Sequence, residues 1–424
     1  MLQRARHQAS SAANEYRGQP AVPKGYRSGT HRAVSPDKTL ARIEPLLPVF
    51  GITRIANITG LDCLGIPVFM ACRPNSRSLA VFQGKGLDPA AARASAIMEA
   101  VETFHAETID LPLKYGAVEE ICYSHAIAEI HKMPFSKEGN FDPLCPIFWI
   151  EGEDLLNGGR KWLPFELVHA NYTLPHLPGS GSFAATTNGL ASGNVKEEAI
   201  SHGLYEVIER DAITLWKLSG DQTQAATVVD PHSIDDPACR DLIDRIKAAG
   251  MDLVIWDITS DIGLPAFQCL IAGRDRTVGA PEFGSGCHLS RPVALARALT
   301  EAAQARTTYI TGARDDITAR DYAADAVALR HDNARALVAD HVPARSFQDI
   351  PHHETDCLAS DLEHTLSALA DSGITEVMHV DLSKQALNIP VSRVVVPGLE
   401  SLLEGPHSDY LPGERALKLL EATS

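Results

Sequence analysis

Apolar residues recur every three to four positions over 89–108, 196–218 and 292–310. That spacing puts them on one side of a 3.6-residue helix, so these stretches read as the three strongest helices of the chain. A shorter helix is expected in "DKTLARIEPLLPVFG", with Leu40, Ile43, Leu46 and Leu47 on one side. The segments 236–250 and 361–373 show the same period. Short apolar runs bounded by Gly and Pro predict strands at 67–74, 78–86, 146–152, 163–171, 251–259, 264–273, 374–383 and 392–398. Helices alternate with strands throughout, which defines an α/β or α+β class. Residues 1–38 lack this patterning and read as a basic, loosely docked arm. No linker composition interrupts 39–424, so one large domain is expected there.

The three strong helices share a template when aligned on Glu99, Glu206 and Glu301. Seven residues earlier stand Ala92, Ala199 and Ala294. Three earlier stand Ala96, Gly203 and Ala298, and two earlier Ile97, Leu204 and Leu299. Three later come Glu102, Glu209 and Gln304. Each helix follows a glycine-bearing stretch, "GKG" (84–86), "NGLASGN" (188–194) or "GSG" (284–286), read as a turn that could offer N–H groups to an anion. Positions −7, −3, 0 and +3 share a helix face, so small residues lie beside the carboxylates and leave room for a ligand or another backbone. A single Glu-x-x-Glu is ordinary solvated helix surface. Acidic pairs repeated on faces this small and apolar need neutralising, and oxygen-only donors suit Mg2+, which completes its shell with phosphate and water. Lys85 and Arg210 are then candidates for phosphate contact, against a surface charge and a structural ion pair respectively.

Composition narrows the class. The net charge of −16 argues against nucleic-acid binding, and no apolar run is long enough to span a membrane. The eight cysteines are scattered with no CxxC, which fits reduced thiols in a cytoplasmic protein. Cys287 follows "GSG" and could carry sulfur, though a buried packing role is the simpler account. His105 and His202 lie on the glutamate helices, where packing is again the simpler role. No nucleophile motif or general base stands out.

The blocks "GKGLDPAAARASAIMEAVETFHAE", "TTNGLASGNVKEEAISHGLYEVIERDAI" and "GSGCHLSRPVALARALTEAAQAR" together resemble the YcaO family over roughly 39–400. The resemblance implies a YcaO-type fold around an ATP site, with ATP and Mg2+ as cofactors, and modification of a peptide backbone amide. It implies that Glu99 with Glu102, and Glu206 with Glu209, are magnesium-binding pairs. Asn194 and Glu198 match residues that contact nucleotide and metal, and Arg210 matches the adjoining arginine. Arg32 and Thr39 fit a basic residue followed seven positions later by a hydroxyl. Ala191 stands where some relatives have a nucleotide-contacting serine. Arg297 matches the late arginine for the phosphates, with Arg306 as runner-up, and Gln304 implies that the third copy adds no metal pair. The end of the chain lacks a proline-rich PxPxP tail; "SRVVVPGLE" and "YLPGERA" look like members that work with a TfuA partner and install thioamides. The alternatives are an azoline-forming cyclodehydratase and a non-catalytic ATP-binding scaffold subunit. A peptide or protein substrate is implied in each case, and a homodimer by resemblance alone.

Overall fold

The computed structural model describes residues 22–273, 279–339, 342–402 and 410–423. Its helices of eight or more residues are α1 (Pro36–Ile43), α2 (Pro89–Glu107), α3 (Lys196–Leu218), α4 (Pro237–Ala248), α5 (Arg291–Thr311), α6 (Ala324–Ala339), α7 (Leu358–Asp371) and α8 (Glu414–Thr423). Its strands are β1 (Arg54–Asn57), β2 (Val68–Cys72), β3 (Val81–Lys85), β4 (Leu113–Gly116), β5 (Ile147–Asp154), β6 (Arg160–Pro164), β7 (Leu190–Ser192), β8 (Met251–Asp257), β9 (Ala266–Gly273), β10 (Glu282–Cys287), β11 (Met378–Asp381) and β12 (Val391–Val395). The three long helices are thus α2, α3 and α5. Every strand pair is antiparallel, which resolves the class as α+β. The strand expected over 163–171 ends at Pro164 and gives way to a 3₁₀ turn, Phe165–Leu167.

The chain divides into two compact units. The first comprises Met1–Lys24, Glu102–Leu218 and Thr355–Ser424, the second Gly25–Val101 and Ser219–Glu354. One of the crossings, Val101 to Glu102, falls inside α2, so no linker composition could announce it. In the first unit β4, β6 and β11 pair with β5, and β11 continues through β12 to β7. In the second unit β1-β2-β3 and β10-β9-β8 form two sheets. Its core gathers Ile243 and Ile246 of α4, Phe267 and Ile271 of β9, and Leu295 and Leu299 of α5. Local chemistry sets the helix ends: the Asp236 carboxylate accepts from Cys239 N–H at 2.9 Å to start α4, and α5 stops at Gly312, whose φ is +57°.

Of the arm expected over 1–38, residues 1–21 lie outside the described residues, and 22–38 are part of the packed structure. Lys24 is buried in an ion pair with Asp361 at 2.6 Å, Tyr26 and Arg32 form a backbone bridge, and α1 buries Thr39, Leu40 and Ile43. A polar sequence docked through a buried charge pair and backbone bonds to Asp356 and Leu358 carries no apolar period, so nothing in its pattern placed it inside the fold.

Candidate functional site

The glycine stretches are not turns in front of helices. "GKG" runs out of β3, "GSG" lies within β10, and "LAS" of "NGLASGN" is β7. Each strand packs on the helix that follows it. A Cβ on Gly84 would stand 1.9 Å from Ala96 N and 2.5 Å from Ala92 O, and one on Gly286 2.1 Å from Ala294 O. In the α3 copy Gly203 plays the reverse part, since a Cβ there would stand 2.8 Å from Gly189 O. The small residues at −7 and −3 therefore admit the preceding strand's backbone, and the repeated template is a strand–helix unit. Of the two readings the sequence left open for these residues, ligand or backbone, the backbone takes the space.

In the first unit, Glu102 Oε1 accepts from both the N–H (2.9 Å) and the hydroxyl (2.7 Å) of Ser192 on β7. Asn194 Nδ2 donates to Glu198 Oε1 at 3.1 Å. Glu197 and Glu198 are buried in the first turn of α3, where the helix dipole favours carboxylates. More than two turns further on, Arg210 donates through Nε (3.2 Å) and Nη2 (2.8 Å) to Glu206 Oε1. Glu206 Oε2 has no hydrogen bond among the described residues. Glu209 is buried on the same helix.

In the second unit, Glu99 is exposed on α2; of the expected acidic pairs only Glu209 is buried, while Glu102 and Glu206 are half-buried. Lys85 forms an ion pair with Glu301, the third copy's glutamate. Ser285 N–H (3.2 Å) and hydroxyl (2.9 Å) donate to Glu301 Oε1. Burial raises the Glu301 carboxyl, but Lys85 and Ser285 outweigh it and the net shift is downward. The ammonium read as a phosphate ligand is thus already committed, to a partner 216 residues away. Gln304 donates to Gln83 O at 3.2 Å, a packing contact. Arg306 is fully buried, bidentate on Asp62 (3.0 and 3.2 Å) and bonded to Ala280 O, which makes it structural. Arg297 is half-buried, its Nε is buried, and its side chain makes no hydrogen bond or ion pair among the described residues. Thr39 donates its hydroxyl to Ser35 O at 3.4 Å. Arg32, seven residues earlier, is half-buried.

Cys287 is fully buried on β10, and His105 is buried against the Phe104 ring, as packing roles require. The sequence reading passed over three residues. Ser192 was inside a quoted stretch, but nothing local marks its bond to a carboxylate 90 residues earlier. Arg415 of "YLPGERA" bonds Asp211 through Nε (3.0 Å) and Nη2 (3.1 Å), tying α8 to α3 beside Arg210. Arg393 is a buried cation in a strand of three valines and a serine, and that contrast was its available signal.

Among the described residues no three His, Cys, Asp or Glu side chains form a closed metal cage. The donors present are carboxylates and an amide, several already fixed through one oxygen. That set fits a hard cation held by few protein oxygens and completed by phosphate and water. The comparisons agree with this class of site. A sequence model of the YcaO family, described as an ATP- and Mg2+-binding cyclodehydratase, matches residues 83–400, and the chain belongs to that family. ATP and Mg2+ are therefore its cofactors. Among relatives, a Rhizobium leguminosarum bv. trifolii protein from the tfuA 3′ region is 38% identical over 386 residues, 89% of this chain and 90% of the relative. Among solved structures, YcaO from Methanopyrus kandleri bound with AMPPCP and Mg2+ aligns with a TM-score of 0.73 at 22% identity, over 93% of this chain and 99% of that one. A heterocyclase in complex with substrate and cofactor gives 0.74 at 24% identity, over 90% of this chain; the match spans 54% of that longer protein.

Proposed function

We propose that this chain uses Mg·ATP to activate a backbone amide of a ribosomally made peptide or protein, and that the product is a thioamide. The observation that carries the ATP–magnesium part is Glu206, held through one oxygen by Arg210 with its other oxygen free of hydrogen bonds among the described residues. An amide oxygen is a poor leaving group; bound Mg·ATP supplies the phosphoryl group that makes it a good one, and a sulfur nucleophile then takes its place. The residues orient and neutralise. Arg210 fixes Glu206, Asn194 orients Glu198, and Ser192 fixes Glu102, so each carboxylate keeps a defined rotamer for a cation. Glu99 and Glu209 complete the two pairs, and Arg297 offers an uncommitted guanidinium to phosphate. Arg32 and Thr39 serve the nucleotide in this reading, while Lys85 serves Glu301.

The thioamide assignment rests on the relative from the tfuA 3′ region and on the "YLPGERA" ending, and it brings a TfuA-like partner with it. The azoline reading is favoured by the family's description as a cyclodehydratase. A cytoplasmic setting fits the eight free cysteines, and no helix among the described residues is long and apolar enough to cross a membrane. Co-expression with candidate short peptides, with and without a TfuA-like protein, tests the assignment by mass spectrometry. An oxygen-to-sulfur exchange is expected; a loss of water instead would establish azoline formation.

A further inference from the structure

Among the buried side-chain donors of the first unit that end with no acceptor among the described residues are those of Arg393, His169 and Tyr172. Arg393, on β12, is 2% exposed. Its Nε donates to Leu167 O at 2.9 Å and its Nη2 to Thr186 O at 2.5 Å, but Nη1 has no partner. His169 is 8% exposed and follows the 3₁₀ turn that carries Leu167. Its Nδ1 accepts from Asn171 N–H at 3.1 Å, so in the neutral ring the proton sits on Nε2, which has no acceptor. The Tyr172 hydroxyl is buried and likewise unpartnered. The Arg393 guanidinium bonds the Leu167 carbonyl, two residues before His169 and five before Tyr172, which puts the three donors in one neighbourhood. Leaving one such group unsatisfied is costly, and a fold rarely concentrates three without use.

We propose that Arg393 Nη1–H, His169 Nε2–H and Tyr172 O–H form an acceptor site for one oxygen of a bound ligand: the substrate amide oxygen as it takes on negative charge. Three donors and no acceptor select an oxyanion or a polarised carbonyl and reject ammonium or guanidinium groups. Burial lowers the His169 imidazole to about 4, so the ring stays neutral and keeps its Nε2 proton for donation. Arg393, lowered to about 10 by burial, remains charged. When an anionic nucleophile adds to the amide carbon, the C=O π pair moves to that oxygen, and these donors hold it. The role of the bound oxygen rests on the proposed function; the existence of the site does not.

Formate is the probe, as a small carboxylate whose proton is visible by saturation-transfer NMR. Formate is titrated into the full chain with and without saturating Mg·AMPPNP, for the unsubstituted protein and for Tyr172→Phe, His169→Leu and His169→Gln. Formate should bind the Mg·AMPPNP-loaded protein, weakened about tenfold by Tyr172→Phe and by His169→Leu, with His169→Gln recovering most of the loss because its amide keeps an N–H at similar reach. Displacement of formate by AMPPNP would reassign the donors to a nucleotide phosphate and overturn the amide assignment. Formate affinity that neither Tyr172→Phe nor His169→Leu changes, or absence of binding to the unsubstituted protein, would overturn the site itself. Formate binding sensitive to these substitutions in a protein that does not bind Mg·AMPPNP would overturn the nucleotide reading and leave the acceptor site standing.

Discussion

The α3 and α5 regions share a strand–helix template and use their glutamates in opposite ways. On α5, Glu301 is closed off by Lys85 and two bonds from Ser285, and Arg306 is bidentate on Asp62. On α3, Glu206 leans on Arg210 through one oxygen, and elsewhere in the same unit Arg393, His169 and Tyr172 keep donors without acceptors. Both carboxylates have a cationic partner, but Glu301 is bonded through both oxygens, whereas Glu206 is bonded through one and keeps the other for a cation. Sequence repetition thus preserves the packing unit, and the choice of partner divides structural copies from functional ones.

Substitutions sharpen this contrast, and the largest effect is expected in the structural copy. Asp62→Asn leaves Arg306 buried without its counter-charge and should cost about 3–5 kcal/mol in chemical denaturation, while AMPPNP affinity of the folded fraction stays as in the parent. Loss of affinity without loss of stability would reverse the roles assigned to α5. Gly84→Ala and Gly286→Ala force a Cβ into the facing helix and should each cost about 3 kcal/mol by thermal melting; a neutral result would return these glycines to a ligand-binding role.

The α3 neighbourhood should betray itself by pH. The folded-state pKa of His169, about 4, lies below its ordinary value of 6.5. Its contribution is therefore whole above about pH 6.5 and is lost as pH falls toward 4, because the unfolded chain takes up the proton first. Over that window the parent should lose up to about 3 kcal/mol more stability than His169→Gln. Parallel stability curves for the two proteins would place His169 in a hydrated setting. The smallest effect belongs to Glu301→Gln, which keeps the Ser285 bonds and leaves half-buried Lys85 without a charge partner, for about 1 kcal/mol in denaturant titrations.

Much of this was legible in the sequence, for physical reasons that differ by element. α2, α3 and α5 announced themselves because one apolar face repeats at 3.6 residues over four or more turns. The alignment of Glu99, Glu206 and Glu301 was visible because strand–helix packing demands small residues at fixed offsets. Gly84 and Gly286 were misread because a Gly-x-Gly in a strand pressed against a helix is written like one in a turn. The pairing of Lys85 with Glu301 was not legible because the partner lies 216 residues away, and no local pattern encodes such a pair. The division into two units was hidden because the chain changes unit inside α2. Lys24 and its buried partner Asp361 drew part of the polar N-terminal segment into the fold by the same kind of long-range pairing.

The claim on which the rest depends is that the α3 glutamates serve magnesium and nucleotide while the α5 glutamate serves Lys85. Calorimetric titration of AMPPNP, with Mg2+ and with EDTA, into the parent, Glu206→Gln and Glu301→Gln tests it most directly. The account predicts Mg2+-dependent binding by the parent and by Glu301→Gln, and a loss of at least about a hundredfold for Glu206→Gln. Equal affinity in Glu206→Gln and the parent, or binding that EDTA leaves unchanged, would contradict it.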